Sequence, residues 1–404
     1  MVRMTKSSSD RRVRIFESTR TATLIEMKDM LPGSLYFRKR MYDFDESALN
    51  SIDAREISLF RAAWILATKR LEFIELNEPA MLPAWPSLIV YVSIIRMKRA
   101  VIRVVTAGRG KQTPPLVVAY AIENNPLIPA FCDFTKLPLF LSHAIALGVF
   151  RYVAGCFDRI AFGTRDAQVN YQQLFSSAHR RGGAETAHFS PLINACSCGT
   201  LSKQRSALFV GEFSERKGIA SMLELWDKVR KLSSGSSFVI VGKGELESTV
   251  RDWASNKSEV TVLVDPPRSV IHRELRRASL LILLSQSTAR WREQIGLPLT
   301  EGLSHGCEIL TTEKVGFAHW LRAHGHLVVP EKFDRMTVAR AVTQRLREPR
   351  NPTHIIKVLP PENGRITADR WLHRPPEPGC PDIPTPRERA RTITRDADMP
   401  RRKT

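Results

Sequence analysis

Short runs of Val, Ile and Leu recur along the chain, separated by stretches with helical spacing. The first series reads "LEFIELNE" (71–78), "AVIRVVTAG" (100–108), "LVVAYAIE" (116–123) and "RIAFGT" (159–164). The second reads "SALFVGEF" (206–213), "SFVIVGKG" (237–244), "EVTVLV" (259–264), "SLLILLSQ" (279–286), "EILTTE" (308–313) and "HLVVP" (326–330). A strand that is apolar on both faces is covered on both faces, the condition of a parallel sheet whose crossovers are helices. An α/β fold of two doubly wound, Rossmann-like domains is therefore expected. In such folds ligands sit outside the carboxyl ends of the strands.

At 404 residues the chain exceeds one ordinary core. The polar interruption "NACSCGTLSKQR" (194–205) is the natural break. Residues 13–195 are expected to form one domain, 196–205 a linker and 206–345 a second domain. An extension at 346–374 contains "NGRITADRWLH", read as a helix packing back on the body. Residues 1–12 and the Pro- and Arg-rich 375–404 have too little apolar surface to order themselves.

The net charge of +20 raises the question of polyanionic partners. Only one stretch concentrates it. Between Glu78 and Glu123 no acidic residue occurs, while Arg96, Lys98, Arg99, Arg103, Arg109 and Lys111 do. No RNA module, zinc finger or basic zipper accompanies them, so nucleic acid is not an expected partner. Two readings of 84–103 stay open. Either Trp85 and Tyr91 lie at lipid headgroups with Arg96, Lys98 and Arg99 on anionic phosphates, or the segment is a helix with cations near its C-terminus, followed by a core strand.

The apolar run Leu137–Phe150 is shorter than the roughly 20 residues a bilayer needs and is expected to be a buried helix. The first twenty residues lack the apolar core of a secretory signal, and a cytoplasmic protein is expected, with peripheral contact at the inner membrane face if the lipid reading holds. The six cysteines show no regular metal spacing. Cys196-Ser-Cys198 is expected to lack a second pair of ligands elsewhere, so reduced thiols and no metal are expected.

Three stretches of the second series carry chemistry. "VGEFSERKG" (210–218) ends a strand at Gly211 and opens a helix near Gly218, with Arg216 and Lys217 at its mouth. A helix N-terminus attracts anions through its unpaired N–H groups. "VGKG" (241–244) places Gly242 and Gly244 at the end of the next strand, but without the third glycine of a dinucleotide fingerprint. "EQIGLPLTEGLSHG" (293–306) sets Glu293 in a loop before a Gly-Leu-Pro turn and Glu301 in the expected first turn of the following helix. The helix dipole accounts for Glu301 but not for Glu293. Paired carboxylates beside a helix N-terminus suit a ligand bearing both hydroxyls and a diphosphate.

These motifs, in this order, resemble the donor lobe of GT-B glycosyltransferases of the family-4 type, the glycosyl transferases group 1. The resemblance covers roughly residues 206–330. It implies that Lys217, with Arg216, Gly211, Gly242 and Gly244 around it, binds the donor diphosphate. Glu293 would hold the transferred sugar, Glu301 the ribose, and the backbone of Ile295, Gly296 and Leu297 the phosphate or sugar oxygens. Lys217 and Glu293 would be the catalytic pair.

The implied reaction moves a hexosyl group, with retention, from a nucleoside diphosphate sugar to an acceptor hydroxyl on a glycan, glycolipid or small molecule, as in cell-surface polysaccharide synthesis. No metal or other cofactor is implied. One departure matters: Glu212 stands where relatives carry Arg, beside the expected diphosphate. It keeps open an alternative, a catalytically impaired nucleotide-sugar-binding or scaffold protein of the same fold.

Overall fold

The computed structural model describes residues 11–41, 44–106, 113–177, 183–199, 201–288 and 290–375. Most of both expected disordered tails, together with Arg109, Lys111 and Cys380, lies outside the described residues. The chain divides into two compact units. One comprises residues 1–163, 167–189 and 365–404, and the other residues 164–166 and 190–364. All recorded strand pairings are parallel.

In the first unit the strands are β1 (Arg12–Thr19), β2 (Ser34–Arg40), β3 (Ala54–Glu56), β4 (Phe73–Leu76), β5 (Leu116–Ala121), β6 (Arg159–Phe162) and β7 (Glu185–His188). They run in the order β3-β2-β1-β4-β5-β6-β7. The run "AVIRVVTAG" is not a strand. Residues 100–106 finish the helix Trp85–Thr106, because Leu88, Tyr91, Val92, Ile95 and Ile102 continue one buried helical face. That face overrides the β-preference of the valines, and Val101, Val104 and Val105 are left exposed.

The same helix corrects the lipid reading of 84–103. Trp85 and Tyr91 are core residues, not headgroup anchors. Lys98 donates to the carbonyls of Leu66 and Lys69, capping the helix Leu59–Thr68. Arg99 binds Asp158 and the carbonyls of Pro115 and Cys156. The apolar run near residue 140 forms the helix Leu139–Ala154, but only one side of it is buried: Ala146, Phe150 and Val153 face the core, whereas Leu139, Phe140 and Ile145 are exposed. Among the described residues no single helix is long and apolar enough to cross a membrane. The pair Leu127–Thr135 and Leu139–Ala154, bent by 117°, meets that test only when taken together.

The helix Gly364–Leu372 supplies Ile366, Ala368 and Leu372 to the apolar clusters of the first unit. A buried charge network fastens it there. Arg14 on β1, fully enclosed, donates to Glu75 on β4 at 3.0 Å and to Asp369 at 2.6 Å. Asp369 also accepts from the backbone N–H of Leu31. Burial opposes its ionisation, yet hydrogen bonding from His373 and the charge of Arg14 hold it well below the usual carboxylate range.

The second unit contains β8 (Gln204–Val210), β9 (Ser237–Gly242), β10 (Val260–Val264), β11 (Ala278–Leu283), β12 (Glu308–Thr312) and β13 (Leu327–Val329), in the order β10-β9-β8-β11-β12-β13. Its core is one cluster. The helix Ile219–Leu232 buries Ile219, Met222, Leu223, Trp226 and Val229, an i, i+3, i+4, i+7 stripe, and Trp226 packs on Phe238 of β9.

Glu78, just past β4, is enclosed and accepts from the N–H groups of Ile122 and Glu123 and from the Tyr171 hydroxyl. Burial, and then the charge of Glu123, push its pKa up to about 8. Between the ordinary carboxylate range and that value the folded chain holds a proton that the unfolded chain has lost. Stability should therefore fall as pH rises through this window. Denaturant melts from about pH 5 to about pH 8 should show a steeper fall in wild type than in Glu78→Gln. Parallel profiles would mean that Glu78 does not titrate there.

Candidate functional site

The strand order of the second unit reverses between β8 and β11, and the loops that leave these two neighbours diverge at their carboxyl ends. This is a topological switch point, where a doubly wound sheet opens a crevice. From β8 the chain passes through a short 3-10 turn, Glu215–Lys217, to Gly218. Gly218 has φ +72°, and a Cβ there would collide with the Leu284 carbonyl. Glycine thus lets the β8 loop lie directly against the end of β11. The Gln286 N–H donates to the Arg216 carbonyl at 2.9 Å and joins the two loops.

Across this junction Lys217 Nζ lies 2.5 Å from a carboxylate oxygen of Glu293, with both side chains largely buried. Ser285, just past β11, donates to the same oxygen at 2.7 Å and fixes the carboxylate from below. The Glu293 loop is held in turn by Gly316, whose N–H donates to the carbonyls of Glu293 and Gln294. The indole of Trp291 lies 5.2 Å from Lys217 Nζ and 4.9 Å from the Arg216 guanidinium.

Glu212 does not stand alone. It forms an ion pair with Arg216 one helical turn on, so Glu212 and Glu293 each have a cation. Gly211 donates to the Val241 carbonyl, and Phe213 to that of Lys243. A Cβ at Gly242 would strike the Gly211 carbonyl, and one at Gly244 the backbone of Phe213. The two glycine motifs are therefore explained by packing of one strand-end loop on the other.

Gly296, φ +67°, caps the helix Leu297–Ser304, with Pro298 in its opening turn. Ile295 is half-buried beside this cap. Glu301 departs from the sequence expectation, because it is the fifth residue of this helix and lies beyond its first turn. Its partner is Arg268 on the helix Arg268–Arg277, not Lys217 or Glu293. The structure thus joins Lys217 and Glu293 directly and gives Glu301 a separate cation.

A cavity of about 520 Å³ in the same unit is lined by Ser221, Gln286, Glu331, Lys332, Phe333 and Arg335. Lys217, Glu293 and Glu301 do not line it. Sequence reasoning named Gln286 as a strand end and missed the others, as it missed Ser285 and Trp291, since none stands inside a glycine motif.

Two groups among the described residues have donor atoms close enough to hold a metal ion. In the group Glu75, Asp369 and His373, both carboxylates are already engaged by Arg14, and Glu75 also by Arg365, whose positive charges oppose a cation there. The second group overturns the reading of Cys196-Ser-Cys198 as lacking further ligands. The fold brings His272 and His305 to those thiols from distant points of the sequence.

Residues 198–358 match the family model described as glycosyl transferases group 1. Solved structures share the whole-chain architecture at low identity. Anabaena HepE in complex with UDP and glucose has a TM-score of 0.57 at 10% identity, over 96% of this chain and 99% of that one. WaaG, a glycosyltransferase involved in lipopolysaccharide biosynthesis, has 0.54 at 13%, over 90% and 100%. OtsA in its apo form has 0.54 at 11%, over 96% and 99%. No curated protein matches by sequence. The fold of the chain, two Rossmann-like units of parallel sheet, is GT-B. Its second unit belongs to the glycosyl transferases group 1.

Removing the Glu293 carboxylate would leave the Lys217 ammonium largely buried without this partner. The sequence alone suggests that Glu293→Ala spares the fold, since a loop carboxylate adds little to a core, but the ion pair argues otherwise. Glu293→Ala should destabilise the chain by about 3 kcal/mol, and Glu293→Gln, which keeps an acceptor for Ser285, by less. Unchanged denaturant midpoints in both variants would show that the pair contributes nothing to stability.

Proposed function

We propose that the chain transfers a hexosyl group from a nucleoside diphosphate sugar to an acceptor hydroxyl with retention of anomeric configuration. The observation that carries this reading is the Lys217–Glu293 pair at the β8/β11 switch point. A bound donor would separate it: the ammonium would turn to the diphosphate, and the carboxylate, kept in place by Ser285, would accept from sugar hydroxyls. Both groups would already be desolvated before the donor arrives, so that the lysine charge meets the leaving diphosphate in a medium poorer in water. In this reading Lys217, rather than a divalent cation, neutralises the departing charge.

Glu301 would receive ribose hydroxyls while Arg268 holds its orientation. Gly211, Gly242, Gly244, Ile295, Gly296 and Leu297 would supply backbone contact, and Arg216, paired with Glu212, would leave no lone acid facing phosphate. That pairing supports the enzyme reading over an impaired binder.

UDP and UDP-glucose occupy HepE structures of this architecture, so uridine donors come first in a test. Thermal shift with UDP, GDP, ADP and dTDP, followed by turnover with the matching sugar nucleotides and assignment of the product anomer, should give one stabilising nucleotide and a retained configuration. Lys217→Ala should lower kcat by at least about a hundredfold. Stabilisation without transfer to any glycan or glycolipid acceptor would favour the binder, and an inverted product would refute retention.

The acceptor is proposed to be a glycan or glycolipid of the cell surface, reached at an anionic membrane. The exposed apolar residues Phe60, Trp64, Met97, Val104 and Val105, with Arg61 and Arg103 beside them on the paired helices Leu59–Thr68 and Trp85–Thr106, suit such a surface better than the buried Trp85 and Tyr91 do. Sedimentation with anionic vesicles should recover wild type and much less of Trp64→Glu/Val104→Glu. Equal recovery of both, or of neither, would remove this surface from the reading.

A further inference from the structure

We propose that Cys196, Cys198, His272 and His305 form a tetrahedral zinc site that ties the segment entering the second unit to the two helices carrying Glu301 and Arg268. The four donor atoms come from three separate places. The cysteines precede β8, His272 lies within the helix Arg268–Arg277, and His305 directly follows the helix Leu297–Ser304.

All four donor atoms lie within 4.8 Å of one another. Cys196 Sγ is 3.7 Å from His272 Nδ1, Cys198 Sγ is 3.2 Å from His305 Nε2, and the two ring nitrogens are 3.3 Å apart. With Zn–S near 2.3 Å and Zn–N near 2.0–2.1 Å, the edges of a regular tetrahedron come to about 3.3–3.8 Å. The observed separations fall at or close to that range.

The surroundings also fit. His305 Nδ1 lies 2.7 Å from the Glu301 carbonyl, which can only accept. Nδ1 therefore carries the proton, and Nε2 turns a lone pair toward the cluster, the arrangement usual for a metal-bound imidazole. Arg276 donates to Cys198 Sγ at 3.2 Å, an outer hydrogen bond that favours the thiolate. No carboxylate belongs to the group. Two thiolates and two neutral imidazoles make a borderline-soft N/S set that selects zinc over magnesium or calcium. On binding, the two thiol protons pass to solvent, and their charges cancel that of the ion.

Four protein ligands leave no open position, so the ion would be structural. Its place gives it a further consequence. The backbone N–H of Cys196 already donates to the Ser304 carbonyl at 2.9 Å. An ion here would fix the end of the Glu301 helix to the helix whose Arg268 holds Glu301. The ligands are distinct from Lys217 and Glu293, and the metal test below does not depend on what the chain transfers.

The test uses the full chain, purified under reducing conditions without a metal-affinity column. Elemental mass spectrometry should find about one zinc per chain. Stripping with a chelator should lower Tm and added zinc should restore it. Cobalt substitution should give the visible bands of tetrahedral coordination and a thiolate-to-cobalt charge-transfer band. Cys198→Ser and His272→Gln should each lose the ion. Should either variant fail to fold, the cobalt spectrum of wild type decides alone.

Zinc-free protein that gives no tetrahedral cobalt spectrum would overturn the proposal. So would a Cys196–Cys198 disulfide in freshly reduced and purified chain, or an octahedral cobalt spectrum.

Discussion

The second unit is organised around a single adjacency, β8 beside β11 with the chain leaving them in opposite directions. Every later feature of the candidate site follows from it. The end of β8 delivers Lys217, the end of β11 delivers Ser285 and the Glu293 loop, and only the switch in strand order leaves room between them. A residue with a Cβ at position 218 would force those loops apart. The ion pair is thus a property of topology as much as of the two residues that form it.

Much of this was legible in the sequence, for definite reasons. The strands of the second unit are enclosed on both faces and therefore read as unbroken apolar runs, two glycine motifs mark the ends of β8 and β9, and the third opens the helix after β11. The first unit was less transparent. Its β1 contains Arg12 and Arg14, both buried, so charged letters interrupt what is in fact a central strand. Its β2 begins apolar and ends "RKR". The run at 100–108 has strand composition but continues the helix before it, because burial of Ile102 decides the outcome. The partners of Glu212 and Glu301 could not be read at all. Arg216 is near in sequence but ambiguous, and Arg268 is brought to Glu301 only by the packing of one helix beside another. The histidines beside Cys196 and Cys198 escape any spacing rule for the same reason.

The basic excess also reads differently with the structure in hand. Several cations of the acid-free window act inside the first unit: Lys98 on helix-terminal carbonyls, Arg99 on Asp158, and Arg96 on the Tyr152 carbonyl and ring. A guanidinium can satisfy several carbonyls at once, which suits it to binding helix ends and loops together. Positive charge of this kind stabilises the unit from within.

The enclosed network around Arg14 has a consequence for how the chain comes to be. Its members Arg14 and Glu75 leave the ribosome early, whereas Asp369 and His373 follow only after the whole of residues 190–364 has been made. Until then the central strand of the first unit holds a guanidinium with part of its counter-charge missing, a costly state for a buried cation. The second unit, nearly continuous in sequence, meets no such delay. Translation would therefore complete the later-encoded half first, and the final helix would act as the latch that lets the earlier half settle.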